Sequence, residues 1–494
     1  MLVTSFLPLA TLWPPDSAYN PNNPLSPWKA INEEEREVIL LALSDMSKPG
    51  DQGQGLVKIP SCDVYFETIQ SRRKLPRSLQ ESLTCAFAKI PVSSFPQVPG
   101  GKVIEVPADM SVGDAVKVLS ECHILSAPVT NPEAGNSCDW RKRYVGVLDY
   151  SAIVLWVLEA AELAAVALSA TSATAAGVGA GAVGALGAVA LGATGPAAVA
   201  GLAVAAVGAA VAAGVAADKG MGKDAPTAAS QLGDDFYKVV LQEEPFKSTK
   251  VKEIVTSFRY TPFLPVSVDS SMLTVLLLLS KYRMRNVPVI EPGNPSMTNF
   301  ITQSAIINGL EGCRGRDWFD AIASHPISDL GLPFMLRDQV VSIDSNELIL
   351  EAFKRMKDHE IGGLPVVEGT TNSTMKKIVG NVSMRDIRYL LLKPQLFASY
   401  RQLTVKKFMS SIASVSDQEL GKVVPPTTCK PNSTFGDVIR ILSSKSIHRI
   451  YVVSDEDEVV GVITLRDVIS CFILEPPNHF DDYFGFSVQE MLKR

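Results

Sequence analysis

Gly461-Val462-Ile463-Thr464-Leu465-Arg466-Asp467 reads as the end of a strand and the start of a helix, and Gly380-Asn381-Val382-Ser383-Met384-Arg385-Asp386 carries the same phrase 81 residues earlier. A phrase repeated at a fixed period marks one supersecondary unit used more than once. Two fainter copies lie at Tyr144 to Val154 and at Asn299 to Ile307. A short apolar strand run precedes each copy: Ser126-Ala127-Pro128-Val129, Asn286-Val287-Pro288-Val289, Gly363-Leu364-Pro365-Val366 and, without the proline, Arg449-Ile450-Tyr451-Val452.

Upstream of each run, apolar residues recur at helical spacing behind a serine, in Ser111 to Glu121, Ser271 to Tyr282, Ser345 to Lys357 and Ser433 to Ser444. A serine hydroxyl suits an N-cap because it accepts a free amide of the first helical turn. The unit therefore reads helix, strand, strand, helix, four times over. The prolines at 128, 288 and 365 read as strand-end packing features.

This order resembles the CBS domain, named after cystathionine β-synthase, and four copies in one chain resemble the gamma regulatory subunits of AMP-activated and sucrose-non-fermenting-related protein kinases. Residues 85 to 94 (C-A-F-A-K-I-P-V-S-S) are similar to the segment that leads into the first repeat of such subunits. Arg314 to Phe319, Ile327 to Met335 and Ile447 to Val453 resemble the plant branch in particular. The resemblance implies an α/β (α+β) fold of four CBS repeats arranged as two paired, or Bateman, modules with an Ala/Gly-rich helical insertion. The expected division is an extension over 1–83, repeat one over 84–160, the insertion over 161–234, repeats two to four over 235–312, 313–395 and 396–475, and a tail over 476–494.

Composition agrees with a protein of several modules. The 494 residues are 46% hydrophobic, enough for substantial cores. The net charge of −6 and dispersed basic residues give no nucleic-acid footprint. The one basic run, Arg72-Arg73-Lys74 with Arg77, reads as a solvated turn before a helix. Seven cysteines without CxxC spacing point to a reducing compartment, and no histidine is paired with another ligand at zinc spacing, so no metal site is expected. Met1 to Trp13 lacks the basic start of a secretory signal.

Counted at the x-P-V position, the repeats are separated by 160, 77 and 86 residues, so the first gap holds a surplus. From Leu163 to Ala217 it contains no charged residue and is almost wholly Ala, Gly, Val and Leu. Three readings stay open for residues 163–217: a membrane-contacting helical hairpin broken near Gly195-Pro196, an Ala-rich helical extension packed on protein, or a linker. Against the first, Ala and Gly contribute little apolar transfer energy. Gly179 to Gly184 formally matches G-x-G-x-x-G, but no strand precedes it and no acidic residue follows at the required distance.

A nucleoside phosphate requires an acceptor for its ribose hydroxyls and positive charge or amides for its phosphates. The resemblance implies that an aspartate opening the last helix of a repeat accepts the ribose. That position is Asp386 and Asp467 in the third and fourth repeats, but Ala152 and Ala305 in the first and second. Ser383 and Thr464, three residues earlier, offer a supporting hydroxyl, whereas the first repeat has Asp149, which would repel a phosphate. The family's basic pair before the strand run is His448-Arg449 in the fourth repeat, with Arg285-Asn286, Ile124-Leu125 and His359-Glu360 taken as its counterparts. The resemblance implies that a site combines the aspartate of one repeat with the basic pair of its partner, which makes Asp386 with His448 and Arg449 the best-equipped site and sets Asp467 against Glu360. An aspartate at a helix start is also a plain cap that suits the helix dipole, so the cap reading stands beside the ligand reading.

No V-A-I-K, H-R-D or D-F-G motif is present, so no kinase chemistry is expected and no catalytic residue is assigned. The resemblance implies a non-catalytic regulatory gamma-type subunit, partnered by a kinase catalytic alpha subunit and a beta scaffold, in the cytoplasm or nucleus. It implies AMP, ADP or ATP as a bound regulator and no resident cofactor. The alternative is a membrane-associated CBS protein that regulates a transporter or organelle process without a kinase.

Overall fold

The computed structural model describes residues 64–156, 249–257, 263–294, 296–369, 377–392, 402–416, 425–476 and 479–480. The expected N-terminal extension up to residue 63, the Ala/Gly segment 163–217 and most of the tail lie outside the described residues. Among the described residues no helix is long and apolar enough to cross a membrane.

Helices α1 (Val64–Arg72) and α2 (Arg77–Lys89) precede repeat one, which comprises β1 (Val106–Pro107), α3 (Val112–Glu121), β2 (Ser126–Thr130), β3 (Tyr144–Asp149) and a helix α4 over residues 150–156. Helix α5 (Val251–Ser257) precedes repeat two: β4 (Val266–Ser267), α6 (Met272–Ser280), β5 (Asn286–Ile290), β6 (Asn299–Thr302) and α7 (Gln303–Glu311). Helix α8 (Asp317–Ala323) and β7 (Met335–Leu336) lead into β8 (Ile343–Asp344), α9 (Ile349–Asp358), β9 (Gly363–Glu368), β10 (Lys377–Ser383) and α10 (Ile387–Leu392) of repeat three. Helix α11 (Val405–Ser416) leads into β11 (Thr428–Cys429), α12 (Phe435–Ser444), β12 (Arg449–Val453), β13 (Val459–Thr464) and α13 (Leu465–Phe472) of repeat four.

Each repeat thus gains a two-residue first strand that the sequence pattern does not reveal. It pairs parallel to the second strand, which pairs antiparallel to the third. The prolines prove to be strand residues, not strand ends. Pro128, Pro288 and Pro365 oppose Val147, Phe300 and Asn381 on the hairpin side. Their missing N–H costs no ladder bond, because the first strand reaches only the residues beyond them, Val129, Val289 and Val366 onward.

Two of the four expected serine caps are found. Ser111 Oγ accepts the Asp114 N–H at 3.1 Å and Ser271 Oγ accepts the Thr274 N–H at 3.3 Å. In repeat four the cap is Thr434, one residue after Ser433, and accepts the Asp437 N–H at 3.1 Å. In repeat three Leu348 occupies the position without a side-chain bond, and Ser345 is buried, its hydroxyl donating to Glu368 at 2.7 Å.

A single device ties the repeats into pairs. The first helix of every repeat has an N1 amide with no partner of its own. Met272 N donates to Ile90 O (2.8 Å), Val112 N to Thr249 O (3.1 Å), Phe435 N to His325 O (2.9 Å) and Ile349 N to Leu403 O (2.9 Å). In each case the acceptor belongs to the segment that enters the other repeat of the pair. Helices α2, α5, α8 and α11 therefore pack on repeats two, one, four and three, not on the repeats they precede. A division of the chain at 84, 235, 313 and 396 follows the sequence, while the packing is reciprocally exchanged.

Within a pair the sheets meet, through Val103, Tyr144 and Val147 against Met297 and Phe300 in the first, and through Tyr451, Val453 and Val462 with Met335 and Ile378 in the second. Between pairs the helices meet, and one core joins repeats two and four while the other joins one and three. The repeats close a ring in the order one, two, four, three. Trp318 is 1% exposed and sits edge-on to Phe472, 6.2 Å between centroids, inside the two-four core.

The basic run at 72–74 is not a solvated turn. Arg72 donates to Phe334 O, Arg73 Nη1 donates to Ser470 O (3.1 Å) and Ile473 O (2.9 Å), and Lys74 N donates to Leu330 O (3.1 Å). Burial lowers the pKa of Arg73 from its usual value. The run fastens the N-terminal helices to repeat four.

Candidate functional site

The first helix of every repeat ends in a non-glycine residue of positive φ: His123 (54°), Arg283 (55°), Glu360 (52°) and Ser446 (50°). Such residues hold the turn that closes a helix at some backbone cost, and strain of this kind gathers at functional sites. Three residues on, the second strand begins, and ladder pairing sets the true equivalence. Ser126 opposes Asp149, Asn286 opposes Thr302, Gly363 opposes Ser383 and Arg449 opposes Thr464. The counterparts of His448-Arg449 are therefore Leu125-Ser126 and Gly362-Gly363, not Ile124-Leu125 and His359-Glu360. Glu360 belongs to the turn, where it pairs with Arg283 of repeat two (Nη1 to Oε2, 3.3 Å).

This register explains the glycines. A Cβ on Gly363 would overlap the Arg449 guanidinium, so Arg449 reaches across the pair and lies where repeat three has no side chain. This places the guanidinium beside Ser383, the ladder partner of Gly363. Asp386, half-buried on the next turn, accepts the Ser383 N–H and Oγ at 2.8 Å each through Oδ2. Its Oδ1 accepts no hydrogen bond from the described residues. Among those residues neither Arg449 nor Arg385 has a carboxylate partner.

His448 Nε2 lies 3.2 Å from Ser304 Oγ of repeat two. The imidazole is open to solvent yet surrounded by protein, as a residue lining a recess would be. That crowding, with the charges of Arg449, Arg385 and Arg285, pushes its pKa down to about 3, so it is neutral near pH 7. Three repeats thus contribute to one cationic cluster: Arg285 from the second, Arg385 from the third, Arg449 from the fourth.

Asp467 and Thr464 are placed differently. Asp467 Oδ2 accepts Thr464 N (2.7 Å) and Oγ1 (2.8 Å) in the same capping box, but its side chain is 0% exposed. The aspartate reads there as a helix cap. All four last helices have their caps at this register: Asp149, Thr302, Ser383 and Thr464.

Sequence reasoning missed Arg385, Arg285 and Ser304 as neighbours of His448. Arg385 stands next to Asp386 in the repeated phrase itself, which was signal enough to weigh it. The first pair is arranged otherwise, since Arg285 Nη1 pairs with Asp149 Oδ2 at 3.2 Å.

Comparison with protein families matches residues 327–393 and 420–473 to the CBS domain. The chain is 67% identical over 437 residues to an Arabidopsis thaliana protein called SNF1-related protein kinase regulatory subunit gamma-1-like, covering 88% of this chain and 97% of that one. It is 34% identical over 432 residues to SNF1-related protein kinase regulatory subunit gamma-1 of the same plant, covering 85% and 90%. A more distant relative is the gamma-3 subunit of 5'-AMP-activated protein kinase of Sus scrofa, 23% identical over 48% of this chain and 43% of that one.

Proposed function

The chain belongs to the family of SNF1-related protein kinase regulatory gamma subunits, and on that premise we propose that it regulates a kinase by binding an adenine nucleotide between repeats three and four. It is a regulatory gamma-type subunit. Its partners in this reading are a kinase catalytic alpha subunit and a beta scaffold, and it performs no catalysis of its own.

The observation that carries the reading is the uncompensated charge of Arg449 and Arg385 around a neutral His448, beside a half-exposed Asp386 with one free carboxylate oxygen. Guanidinium groups that face no carboxylate suit a phosphate, and the free oxygen of Asp386 suits ribose hydroxyls. Ser383 holds Asp386 in place. Ser304 of repeat two reaches His448 at 3.2 Å, so an anion bound there would lie at the border of the two pairs. Regulation then follows from a difference in nucleotide affinity between two states of the assembly.

The test is calorimetric titration of AMP and ATP into the full chain. Arg449→Ala should weaken binding by roughly 100-fold and Asp386→Ala by roughly 10-fold, the usual loss for a charged and for a neutral-partner hydrogen bond. Unchanged affinity in both variants would leave Asp386 a cap and the cluster without this ligand.

A further inference from the structure

In the first pair the groups that could hold an anion are already engaged. Asp149 Oδ1 accepts the Ala152 N–H at 3.0 Å and the Ser151 hydroxyl, while Oδ2 accepts Arg285 Nη1 at 3.2 Å. Arg285 also donates to Ser151 Oγ at 2.6 Å. An amide at a helix start, a hydroxyl and a guanidinium are together the donor set that binds a free carboxylate or phosphate. Asp149 is 4% exposed and Ser151 0%. The guanidinium comes from repeat two and the remaining groups from repeat one, so the contact spans the pair just as a ligand would.

A capping role alone accounts for the bonds of Oδ1. It does not account for Oδ2 facing Arg285, nor for a charged residue at this register when the other three repeats use Thr302, Ser383 and Thr464. We infer that Asp149 is a resident ligand, its carboxylate filling an anion site between repeats one and two formed by the Ala152 amide, Ser151 and Arg285. Because the carboxylate is tethered, its effective concentration exceeds that of a free competitor. The first pair is therefore held in its filled geometry without any ligand from solution. The expected repulsion of phosphate by Asp149 becomes, more specifically, competition for the same donors.

Thermal unfolding of the full chain tests this by chemical rescue. Asp149→Ala should lower Tm by about 5 °C, since it removes the carboxylate that faces the half-buried Arg285 guanidinium. Formate at about 50 mM, or inorganic phosphate, should recover at least half of that loss in a saturable manner, with chloride at equal ionic strength giving none. The wild type should not respond in this way, and Asp149→Ala/Arg285→Ala should not be rescued. Loss without rescue by either anion, or equal rescue of the double variant, would overturn the inference. Asp149→Asn guards against a chain that fails to fold, because Asn caps as well as Asp but carries no charge. A variant as stable as wild type would reduce Asp149 to a cap, and a clear loss supports the resident carboxylate.

Discussion

Repeats one and two set Asp149 against Arg285, whereas repeats three and four carry Ser383 at the ladder register of Asp149 and set it beside Arg449, one residue along from the register of Arg285. Backbone plan, reciprocal exchange of entering helices and sheet contact are common to both pairs. At the register of Asp149 and Ser383 the difference is one carboxylate. In the first pair it neutralises the cation that crosses the interface, and in the second a hydroxyl leaves the cation unneutralised. A duplicated scaffold can thus hold one half closed by its own side chain and keep the other open to an anion, without altering a strand.

The sharpest way to break this contrast is to move the carboxylate. Ser383→Asp puts an acid beside Arg449, and we expect nucleotide affinity, read by titration, to fall roughly 100-fold while the chain remains folded. Affinity within about threefold of wild type would mean that the pairs do not differ for the reason given.

A smaller effect is expected from Gly363→Ala. The new Cβ must displace the Arg449 guanidinium, a flexible group, although the Val382 carbonyl also crowds the position. Stability should fall by about 1 kcal/mol and affinity by about tenfold. The matched change in the first pair, Ser126→Ala, removes only the hydroxyl that Asn286 Nδ2 meets at 3.2 Å and should affect neither by as much. Equal effects at the two positions would count against the crossing of Arg449.

The smallest effect is one of pH. The pKa of His448 is depressed in the fold to about 3, against an ordinary value near 6.5. Between these values the unfolded chain binds more protons, so stability is present above about pH 6.5 and is lost as pH falls towards 3. His448→Gln should flatten the decline in Tm between pH 7 and 5, an effect confined to the second pair. Identical slopes would place the imidazole outside the cationic cluster.

Much of the fold is legible because the repeat writes itself in local patterns. The strand run, the turn and the helix of each copy follow from β-branched residues and helical spacing over fewer than 15 residues. Ser345 and Ser433 sit three and one residues from the actual caps, because a serine before an apolar run marks a helix start only to within a few residues. His359-Glu360 sit in a turn because counting along the chain cannot see which residues face each other across a hairpin. Arg72 and Arg73 read as solvated because their acceptors, Phe334, Ser470 and Ile473, are more than 260 residues away. Asp386 and Asp467 look equivalent in sequence, and only enclosure separates the half-exposed one from the one fully buried.

The sequence by itself determined the unit, its fourfold use, the family and the loss of the acidic residue from the first two copies. Those properties rest on local propensity and on periods that no packing can alter. Only the tertiary structure decided which repeat each entering helix covers, which residues share a register, and where Asp149 and Arg449 direct their charge. These depend on unsatisfied helix amides and on cations that reach across an interface, and both find partners through space.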